Sequence, residues 1–285
     1  MCYNYSIIIP HYNIPRLLCR CLSSIPRRKD IQIIVVDDNS SSDIVDFNTF
    51  PGLDDPLVEV YFTKEGKGAG YARNIGLQHA KGKWLLFADA DDFFVRNAFN
   101  TIDTFVDNEA ELILFKTDSV NSDTLEPSNR NVLTNIPIDK YTNGNLTAKN
   151  VAFKYVVPWG KMIKRSYVEN NNFAFEELVV SNDVMFAIKV ACHTEKILIC
   201  PKNIYCNTYR ENSLLTSKKH IDIRMDCLIR RNEYLLKYGY KKEIVPLLVH
   251  LHHFCKHSIK TYLKCLWMLV SKGVLFQGLY FYFKR

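Results

Sequence analysis

The chain has 285 residues, of which 47% are hydrophobic and 24% charged, the composition of one folded domain with or without an appendage rather than a disordered or fibrous chain. Its nine cysteines are scattered without a C-x-x-C pair, which argues against a disulfide framework and for a reducing compartment. The net charge of +7 is uneven, because residues 218–285 carry 14 Lys and Arg against 4 Asp and Glu.

This basic C-terminal part indicates an anionic partner. The sequence holds no helix-turn-helix, zinc-finger or RNA-binding-sheet signature, so we expect no nucleic acid and favour an anionic membrane surface. No secretory signal peptide is visible, because Met1 to Ser6 leads directly into a strand pattern. We therefore expect a cytoplasmic protein, either free or peripheral on the inner face of the plasma membrane.

The first forty residues read as a strand, a helix and a second strand. Apolar runs at 5–10 and 31–36 predict two buried strands, and apolar spacing across 16–25 predicts the helix between them. Such a crossover unit has parallel strands, so both carboxyl ends lie at the sheet edge where ligands bind. The notable residues at this edge are Pro10, Tyr12, Asn13, Asp37 and Asp38.

A third strand at 58–63 leads through a glycine-rich segment to a helix over 71–80. Glycines at a helix N-terminus allow phosphate or ribose to approach the backbone closely. The dinucleotide fingerprint G-x-G-x-x-G is incomplete, because Arg73 stands where its third glycine would be, and this argues against a nicotinamide site. Arg73 lies one turn into the helix, where it would bind a phosphate or hold Asp91 and Asp92.

The most informative stretch is residues 83–94, K-W-L-L-F-A-D-A-D-D-F-F. Its apolar run fits a strand buried on both faces of a mainly parallel sheet, and the run ends in Asp89, Asp91 and Asp92. Three carboxylates so close together repel one another unless a cation lies among them. Oxygen ligands at this spacing predict Mn²⁺ or Mg²⁺, and a solvated acidic turn is the alternative.

The second half of the chain is less regular. Residues 118–150 are rich in Asn, Asp, Thr and Ser without periodicity, which predicts a long functional or disordered loop. The other predicted elements are helices at 95–108, 147–156 and 183–192 and strands at 112–116, 196–200 and 204–209.

Four motifs occur in order along the first third of the chain. They are S-I-I-I-P-x-Y-N at 6–13, V-V-D-D-N-S at 35–40, A-R-N-x-G at 72–76 and D-x-D-D at 89–92. Together they resemble the inverting family-2 glycosyltransferases of GT-A fold, of the bacterial capsule and cell-surface polysaccharide type. The resemblance implies an α/β GT-A domain over 1–217, with a mixed, mainly parallel sheet between helices, and a helical C-terminal appendage over 218–285.

By this resemblance, the donor binds at the sheet edge. Tyr12 would stack on the nucleotide base, and Asp38 would accept the imide N–H of uracil or thymine. Asp91 and Asp89 would hold the Mn²⁺ or Mg²⁺, and a Y-R-x-x-x-S loop would bring Arg210 to the donor phosphates. The residues implied at the donor are Pro10, Tyr12, Asn13, Asp38, Gly70, Arg73, Asp89, Ala90 and Arg210.

The resemblance also implies an acceptor side. Asp183 matches the family's catalytic base, while Asn182 replaces the Glu that usually precedes it. The alternative is that Ser181 or Asn182 caps the helix at 183–192 and that Asp183 only complements its dipole. Trp159 would stack on an acceptor sugar, and the equal alternative is a buried core tryptophan.

The implied function is transfer of a hexosyl or N-acetylhexosaminyl group. The nucleotide-diphosphate donor is most consistent with a UDP-sugar, and the acceptor is a carbohydrate or a lipid-linked oligosaccharide. A nucleotidyltransferase and a non-catalytic nucleotide-sugar-binding subunit are the alternatives. A nucleotidyltransferase usually needs a second basic phosphate loop, which the sequence does not show.

The tail predicts an amphipathic helix. Lys256, Lys260, Lys264 and Lys272 fall on one side of a helical wheel. The other side is apolar and carries Ile259, Tyr262, Leu263, Leu266, Leu269 and Val270. We expect this helix to lie on an anionic membrane, where each Lys or Arg adds about 1 kcal/mol. The alternative is that its apolar face packs on the protein.

Overall fold

A computed structural model describes residues 3–210, 220–255 and 258–283. At the centre of these residues is an eight-stranded sheet in the order β3-β2-β1-β4-β7-β6-β8-β5. The strands are β1 (Tyr5–His11), β2 (Ile31–Asp38), β3 (Val58–Thr63), β4 (Trp84–Phe87), β5 (Phe93–Phe94), β6 (Leu112–Asn121), β7 (Lys161–Lys164) and β8 (Ile197–Tyr209).

The sheet is mixed, as predicted. Strands β3, β2, β1 and β4 run parallel, β7 is antiparallel to both β4 and β6, and β8 runs parallel to β6 and antiparallel to β5. Because the first four strands are parallel, the polar residues after β1, β2 and β4 come to one edge of the sheet. This edge is the predicted ligand-binding edge.

Helices cover both faces of the sheet. Every residue of β1, β2 and β4 is therefore buried, which explains their unbroken apolar runs. Side chains alternate between the faces, so Ile7 and Ile9 join one core cluster while Ile8 joins the other. The helices are α1 (Pro15–Ser23), α2 (Ala69–His79), α3 (Ala98–Ile102), α4 (Val132–Thr142), α5 (Ala148–Lys154), α6 (Arg165–Asn170), α7 (Val184–His193), α8 (Ile221–Lys237), α9 (Leu247–Cys255), α10 (Ile259–Ser271) and α11 (Leu279–Phe283).

Three predictions about the second half were wrong in detail. The helix expected at 95–108 is only α3 and a 3-10 turn, Asp103–Phe105. The region expected to be a loop contains the end of β6 and the helix α4, whose amphipathic periodicity is weak and which includes Pro137. The two strands expected after residue 195 are one strand, β8, whose pairing with β6 shifts register near Lys116. The shift lets one long strand bend, which a sequence pattern does not reveal.

The C-terminal helices α8, α9 and α10 enclose a small core of their own, which contains fully buried Cys265 and Leu269 of α10. Helix α8 also packs on α7, and its Leu235 belongs to the second large cluster. The predicted domain boundary at 217/218 falls outside the described residues and stays a prediction.

The predicted faces of the tail helix need correction. Lys264 and Lys272 do not form a free polar face, since their Nζ atoms donate to Asp222 at 2.6 Å and Asp226 at 3.1 Å. Leu269, expected on the lipid side, is buried against α8 and α9. Lys256 lies outside the described residues. The core-packing alternative therefore holds for the face of α10 that carries the fully buried Cys265 and Leu269.

Part of the predicted apolar face of α10 does point outward, together with Trp267. Ile259, Leu263, Trp267 and Val270 recur about once per helical turn and all are more than half exposed. No helix within the described ranges is both long enough and apolar enough to cross a membrane.

A buried polar network joins the ends of β1 and β2 beside the ligand-binding edge. His11 Nδ1 lies 2.7 Å from an oxygen of Asp37, and His11 Nε2 accepts the backbone N–H of Ile14 at 3.2 Å. Because Nε2 accepts this hydrogen bond, Nδ1 is the ring nitrogen that donates to Asp37. Ser40 donates to Asp37 from its backbone and its hydroxyl, at 3.0 and 2.6 Å.

This network orients the predicted base-binding loop. The Ser40 hydroxyl also accepts the backbone N–H of Asn13, and Asn13 Oδ1 accepts the backbone N–H of Ser41, both at 2.8 Å. Burial raises the pKa of Asp37, but the hydrogen bonds from His11 and Ser40 outweigh it and hold that pKa below its usual value. The loops after β1 and β2 thus share one buried carboxylate.

We expect His11→Gln to destabilise the fold more than His11→Asn. The Asn amide can replace Nδ1 and still donate to the charged Asp37, whereas Gln replaces Nε2 and leaves the carboxylate short of a donor. Chemical denaturation should show a loss of about 1–3 kcal/mol for Gln and a smaller loss for Asn. Equal losses in the two variants would show that the bond to Asp37 does not carry the interaction.

Candidate active site

Three carboxylates follow β4 directly. Oxygens of Asp89, Asp91 and Asp92 all lie within 4.8 Å of one another, with Asp92 buried and the other two partly exposed. The buried strand Trp84–Phe87 ends two residues before the first of these acids. The predicted acidic turn therefore forms one compact cluster.

Asp92 holds the turn to β8. Its two oxygens accept the hydroxyl of Tyr205 at 2.9 Å and the backbone N–H of Thr208 at 2.7 Å. The same Tyr205 oxygen accepts the backbone N–H of Asp89 at 2.9 Å. Burial, and then the charges of Asp91 and Asp89, raise the pKa of Asp92 well above its ordinary value. Asp92 is thus a structural carboxylate that positions the other two acids.

Trp159 packs on Tyr205 and does not have the role that was predicted for it. Its ring stacks on Tyr205 with centroids 5.4 Å apart and an interplanar angle of 17°, and only 6% of the residue is exposed. A ring buried in this way cannot lie flat on an acceptor sugar, so the sugar-stacking prediction is wrong and the core alternative is correct. Trp159 therefore packs against Tyr205, whose hydroxyl donates a hydrogen bond to Asp92.

Arg73 of α2 neutralises Asp89. Its Nη2 donates to Asp89 Oδ1 at 2.6 Å and its Nη1 donates to Asn182 Oδ1 at 2.9 Å, while the guanidinium lies over Phe175. The prediction that Arg73 holds Asp91 and Asp92 is therefore wrong, since it holds Asp89 instead. Asn182, predicted at the acceptor, is buried and fixes the arginine.

Asp91 is held from two directions. Arg210 Nη2 donates to Asp91 Oδ2 at 2.9 Å, and the backbone carbonyl of Asp91 accepts Arg20 Nη2 at 2.5 Å and Thr208 Oγ1 at 2.9 Å. Arg210 therefore contacts the acid rather than open solvent, at the end of β8 as the loop motif implied. This arginine lies close enough to share its charge between Asp91 and an anion bound nearby.

The donor set fits a hard divalent cation. In the described structure, Asp89 and Asp91 each use one carboxylate oxygen in an arginine pair, and the hydrogen bonds found leave Asp89 Oδ2 and Asp91 Oδ1 available. Two carboxylates on one turn are the ligand type that Mg²⁺ and Mn²⁺ accept in proteins. Asp92 fits less well, because both of its oxygens already accept hydrogen bonds.

Asp183 faces this cluster across a cavity of about 250 Å³, which Asp89 and Asp91 also line. It stands at the N-cap position of α7 and makes no side-chain capping bond. Burial raises the pKa of Asp183, although Arg73 and Lys161 act in the opposite direction. A raised pKa suits a carboxylate that takes up a proton during a reaction.

Sequence reasoning missed two arginines at this cavity and a buried lysine whose charge acts on Asp183. Arg130, in the segment without a clear pattern, lines the cavity and donates to the Thr208 carbonyl, and Arg224 of α8 lines it from the C-terminal helices. Lys161 is buried and donates to the Tyr155 carbonyl at 2.9 Å, and burial lowers its pKa to about 7. The sequence signal for Lys161 was its position directly after Trp159 and Gly160. No local pattern marked Arg130 or Arg224.

The predicted base-binding residues gather at the ends of β1 and β2. Tyr12 is 59% exposed, so its ring is available for stacking, whereas Pro10 is buried within β1. Asn13 adopts a left-handed backbone, with φ of 55°, and is tied to the loop after β2. Among the described residues that line the acidic cavity, none of these three is found.

Three further predicted donor residues have structural reasons for their identity. Asp38 accepts the backbone N–H of Gly68 at 2.5 Å, so it holds the glycine-rich loop beside the base-binding residues. A Cβ on Gly70 would collide with the carbonyl oxygen of Glu176, so this glycine is needed for packing. Ala90 is buried in the first core cluster. Their predicted contacts with the donor stay predictions.

Comparisons with known proteins agree with this geometry. The family model described as Glycosyl transferase family 2 matches residues 6–171. The chain is 27% identical over 252 residues to "Glycosyltransferase GlyA" of Streptococcus pneumoniae, which covers 84% of this chain and 35% of the relative. It is 25% identical over 221 residues to "Poly(ribitol-phosphate) beta-N-acetylglucosaminyltransferase TarS" of Staphylococcus aureus, covering 75% and 37%. The chain thus spans about a third of the length of these relatives.

Solved structures show the same fold. A crystal structure of S. aureus TarS 1-349 in complex with UDP-GlcNAc superposes with a TM-score of 0.72 at 19% identity and covers 92% of this chain and 79% of that one. The mannosyltransferase PcManGT from Pyrobaculum calidifontis, in complex with GDP-Man and Mn²⁺, gives 0.58 at 17% identity, covering 95% and 76%. The GT-A fold is thereby confirmed, and with the family model matching more than half of its residues, this chain belongs to glycosyl transferase family 2.

Proposed function

We propose that the chain transfers a sugar from a nucleotide-diphosphate donor, most consistently a UDP-sugar, to a hydroxyl group of a carbohydrate acceptor. The observation that carries this proposal is one cavity in which Asp183 faces the acidic pair Asp89 and Asp91, with Arg210 beside them. A proton acceptor opposite a phosphate-binding cluster is the arrangement that a single displacement needs. The UDP-GlcNAc bound by the structural neighbour TarS supports the choice of nucleotide.

The reaction joins the acceptor oxygen to the anomeric carbon and breaks the bond from that carbon to the donor diphosphate. Asp183 takes the proton of the acceptor hydroxyl, and inversion follows because attack and departure occur on opposite faces. Arg73 holds Asp89 in place, and Asn182 fixes Arg73. Arg210 and Arg130 line the same cavity and are placed to stabilise negative charge that develops on the leaving diphosphate.

Metal dependence is part of the proposal. Asp91 and Asp89 would hold Mn²⁺ or Mg²⁺, and such an ion supplies positive charge for the diphosphate. The Mn²⁺ bound by the neighbour PcManGT supports this choice. Tyr12, Asn13 and Asp38 would bind the base at the ends of β1 and β2, beyond the phosphates.

For the metal site, we expect Asp91→Asn to lower transfer in Mn²⁺ by at least about 10²-fold, the loss that follows removal of one strong electrostatic contact to a transition state. The substitution also removes one of three repelling carboxylates, so the folded state should survive without metal. Mn²⁺ should raise the unfolding temperature of the native chain, since it binds only the folded state, and should not raise that of the variant.

The matched control is Asp107→Asn, a substitution of an exposed aspartate that pairs with Lys83 and does not line the acidic cavity. It should leave both activity and the effect of Mn²⁺ unchanged. Full activity of the native chain in excess chelator would contradict the metal assignment.

For the base, we expect Asp183→Asn to lower turnover by about 10²- to 10⁴-fold with little change in UDP affinity. The active form is the deprotonated carboxylate, so native activity should fall as pH drops through its pKa. Because burial raises that pKa, the fall should begin at a higher pH than for an exposed aspartate, whose pKa is about 3.9. The pH profile of kcat/KM and a UDP titration test both points.

The residual activity of the Asp183→Asn variant should not fall as the pH drops through this range. If UDP affinity collapses together with turnover, Asp183 instead supports the phosphate side of the cavity. Native turnover in the variant would favour the non-catalytic alternative.

We also propose that the chain acts at an anionic membrane surface, which would suit a lipid-linked acceptor. Support comes from the outward stripe of α10 and from the net charge of +10 on residues 218–285. Leu263, which lies on the predicted apolar face, and Trp267 both point away from the protein core, and they would enter the lipid headgroup region.

We expect the chain to co-sediment with vesicles that contain anionic lipid, less strongly in high salt. Among the three tryptophans, Trp84 and Trp159 are buried while Trp267 is 72% exposed, so a blue shift in fluorescence on binding would report Trp267. Leu263→Ser with Trp267→Ser should abolish binding, whereas Leu133→Ser on exposed α4 should not. Equal binding to neutral vesicles, or none to anionic ones, would contradict the proposal.

A further inference from the structure

One arginine reaches the acidic turn from outside the acidic cavity. Arg20 belongs to α1, and its guanidinium carbon lies 5.4 Å from the centre of the Phe93 ring. It lines a separate cavity of about 350 Å³ between α1 and the loop after β6. This cavity shares no lining residue with the one that Asp89 and Asp183 line. Arg20 therefore approaches the turn from the side opposite to the proposed reaction.

The hydrogen bonds of the Arg20 side chain join the acidic turn to the loop after β6. Its Nη2 donates to the backbone carbonyl of Asp91 at 2.5 Å and to the hydroxyl of Ser122 at 3.0 Å. Its Nη1 donates to the backbone carbonyl of Ser122 at 2.7 Å. Because these acceptors are neutral, they leave the positive charge of the guanidinium to offset the acids of the turn.

These contacts continue to the other side of Asp91. The backbone N–H of Ser122 donates to the carbonyl of Tyr209 at 2.9 Å. Tyr209 directly precedes Arg210, whose Nη2 donates to Asp91 Oδ2 at 2.9 Å. Ser122 is thus connected to the Asp91 carbonyl through Arg20 and to the Asp91 carboxylate through Arg210. The two ends of one acidic residue are held by a single closed set of contacts.

This set of contacts depends on the Arg20 guanidinium. Ser122 is only 4% exposed, so water has little access to its carbonyl if the arginine is removed. The Asp91 carbonyl would keep the hydrogen bond from Thr208 Oγ1 and lose the one from Arg20. A buried acceptor without its donor destabilises the arrangement around it. The turn and the loop would shift relative to each other, and the Asp91 carboxylate would move with the turn.

We propose that Arg20 is a positioning residue for the proposed reaction, which fixes Asp91 through its carbonyl and Arg210 through Ser122. The inference rests on the proposed function, since Asp91 and Arg210 are the groups expected to bind the metal and the diphosphate. Arg20 itself contacts neither ligand. Loss of such a contact behind a metal ligand typically lowers metal affinity or activity by about 10- to 100-fold.

The test compares three variants of the full chain. Arg20→Gln removes the guanidinium and keeps a polar side chain, whereas Arg20→Lys keeps the charge on a single ammonium group. The matched control is Arg16→Gln, an exposed position one turn earlier in α1 that lines the same separate cavity. In the described structure, the donors found for the Asp91 and Ser122 oxygens include Arg20 but not Arg16. Circular dichroism checks that each variant is folded.

The first measurement is calorimetric titration of Mn²⁺ alone into each folded variant. We expect Arg20→Gln to weaken Mn²⁺ binding by about 10- to 100-fold and to lower kcat for transfer by a similar factor. Arg20→Lys should lose less, and Arg16→Gln should match the native chain. A role in stability alone would lower the unfolding temperature of Arg20→Gln but leave the Mn²⁺ affinity of its folded state unchanged. Native Mn²⁺ affinity and native kcat in Arg20→Gln would therefore overturn the proposal.

The second measurement is amide hydrogen exchange without metal, which separates this inference from the proposed function. Arg20→Gln should speed exchange in peptides over 84–94 and 205–210, and Arg16→Gln should not. If the native chain neither binds Mn²⁺ nor transfers sugar, the proposed function fails, and the exchange result still decides whether Arg20 orders the turn. Unchanged exchange in Arg20→Gln, or equal changes in the two glutamine variants, would contradict the assignment of Arg20.

Discussion

The repulsion among Asp89, Asp91 and Asp92 is the constraint around which this structure is arranged. Three carboxylates within 4.8 Å would destabilise the turn if they stood alone. Each carboxylate is stabilised differently. Arg73 pairs with Asp89, Arg210 pairs with Asp91, and Asp92 accepts hydrogen bonds from β8. Because these contacts differ, the three acids have different roles. Asp92 belongs to the scaffold, and the other two keep oxygens for a ligand.

These ion pairs and hydrogen bonds also connect parts of the chain that are far apart. Arg73 comes from α2, Arg210 from the end of β8 and Asn182 from the segment before α7. The turn is therefore placed by a sheet edge, a helix and two later segments at once. A change in any of these contacts would alter the charge balance at the acids, even where the changed residue touches no ligand.

A second buried carboxylate, Asp37, stabilises the loops after β1 and β2 as Asp92 stabilises the acidic turn. It accepts hydrogen bonds from His11 and Ser40 and so joins the ends of two parallel strands. Parallel strands bring loops together at an edge but do not fix their side chains. Here buried hydrogen bonds fix the side chains of these loops, because a buried carboxylate without hydrogen-bond donors would destabilise the folded state.

The sequence by itself determined the α/β fold, the ligand-binding edge and the acidic turn. Buried parallel strands need unbroken apolar runs, and polar motifs at their ends stand out against them. The tertiary structure alone decided which acid is structural, that Arg73 pairs with Asp89, that Trp159 backs Tyr205, and that α10 turns its lysines towards α8. Arg130 and Arg224 also entered the cavity without a local signal. The physical reason is that these contacts join residues from 16 to more than 100 positions apart in the chain, and a periodic pattern records only which face of one element is buried, not which partner it meets there.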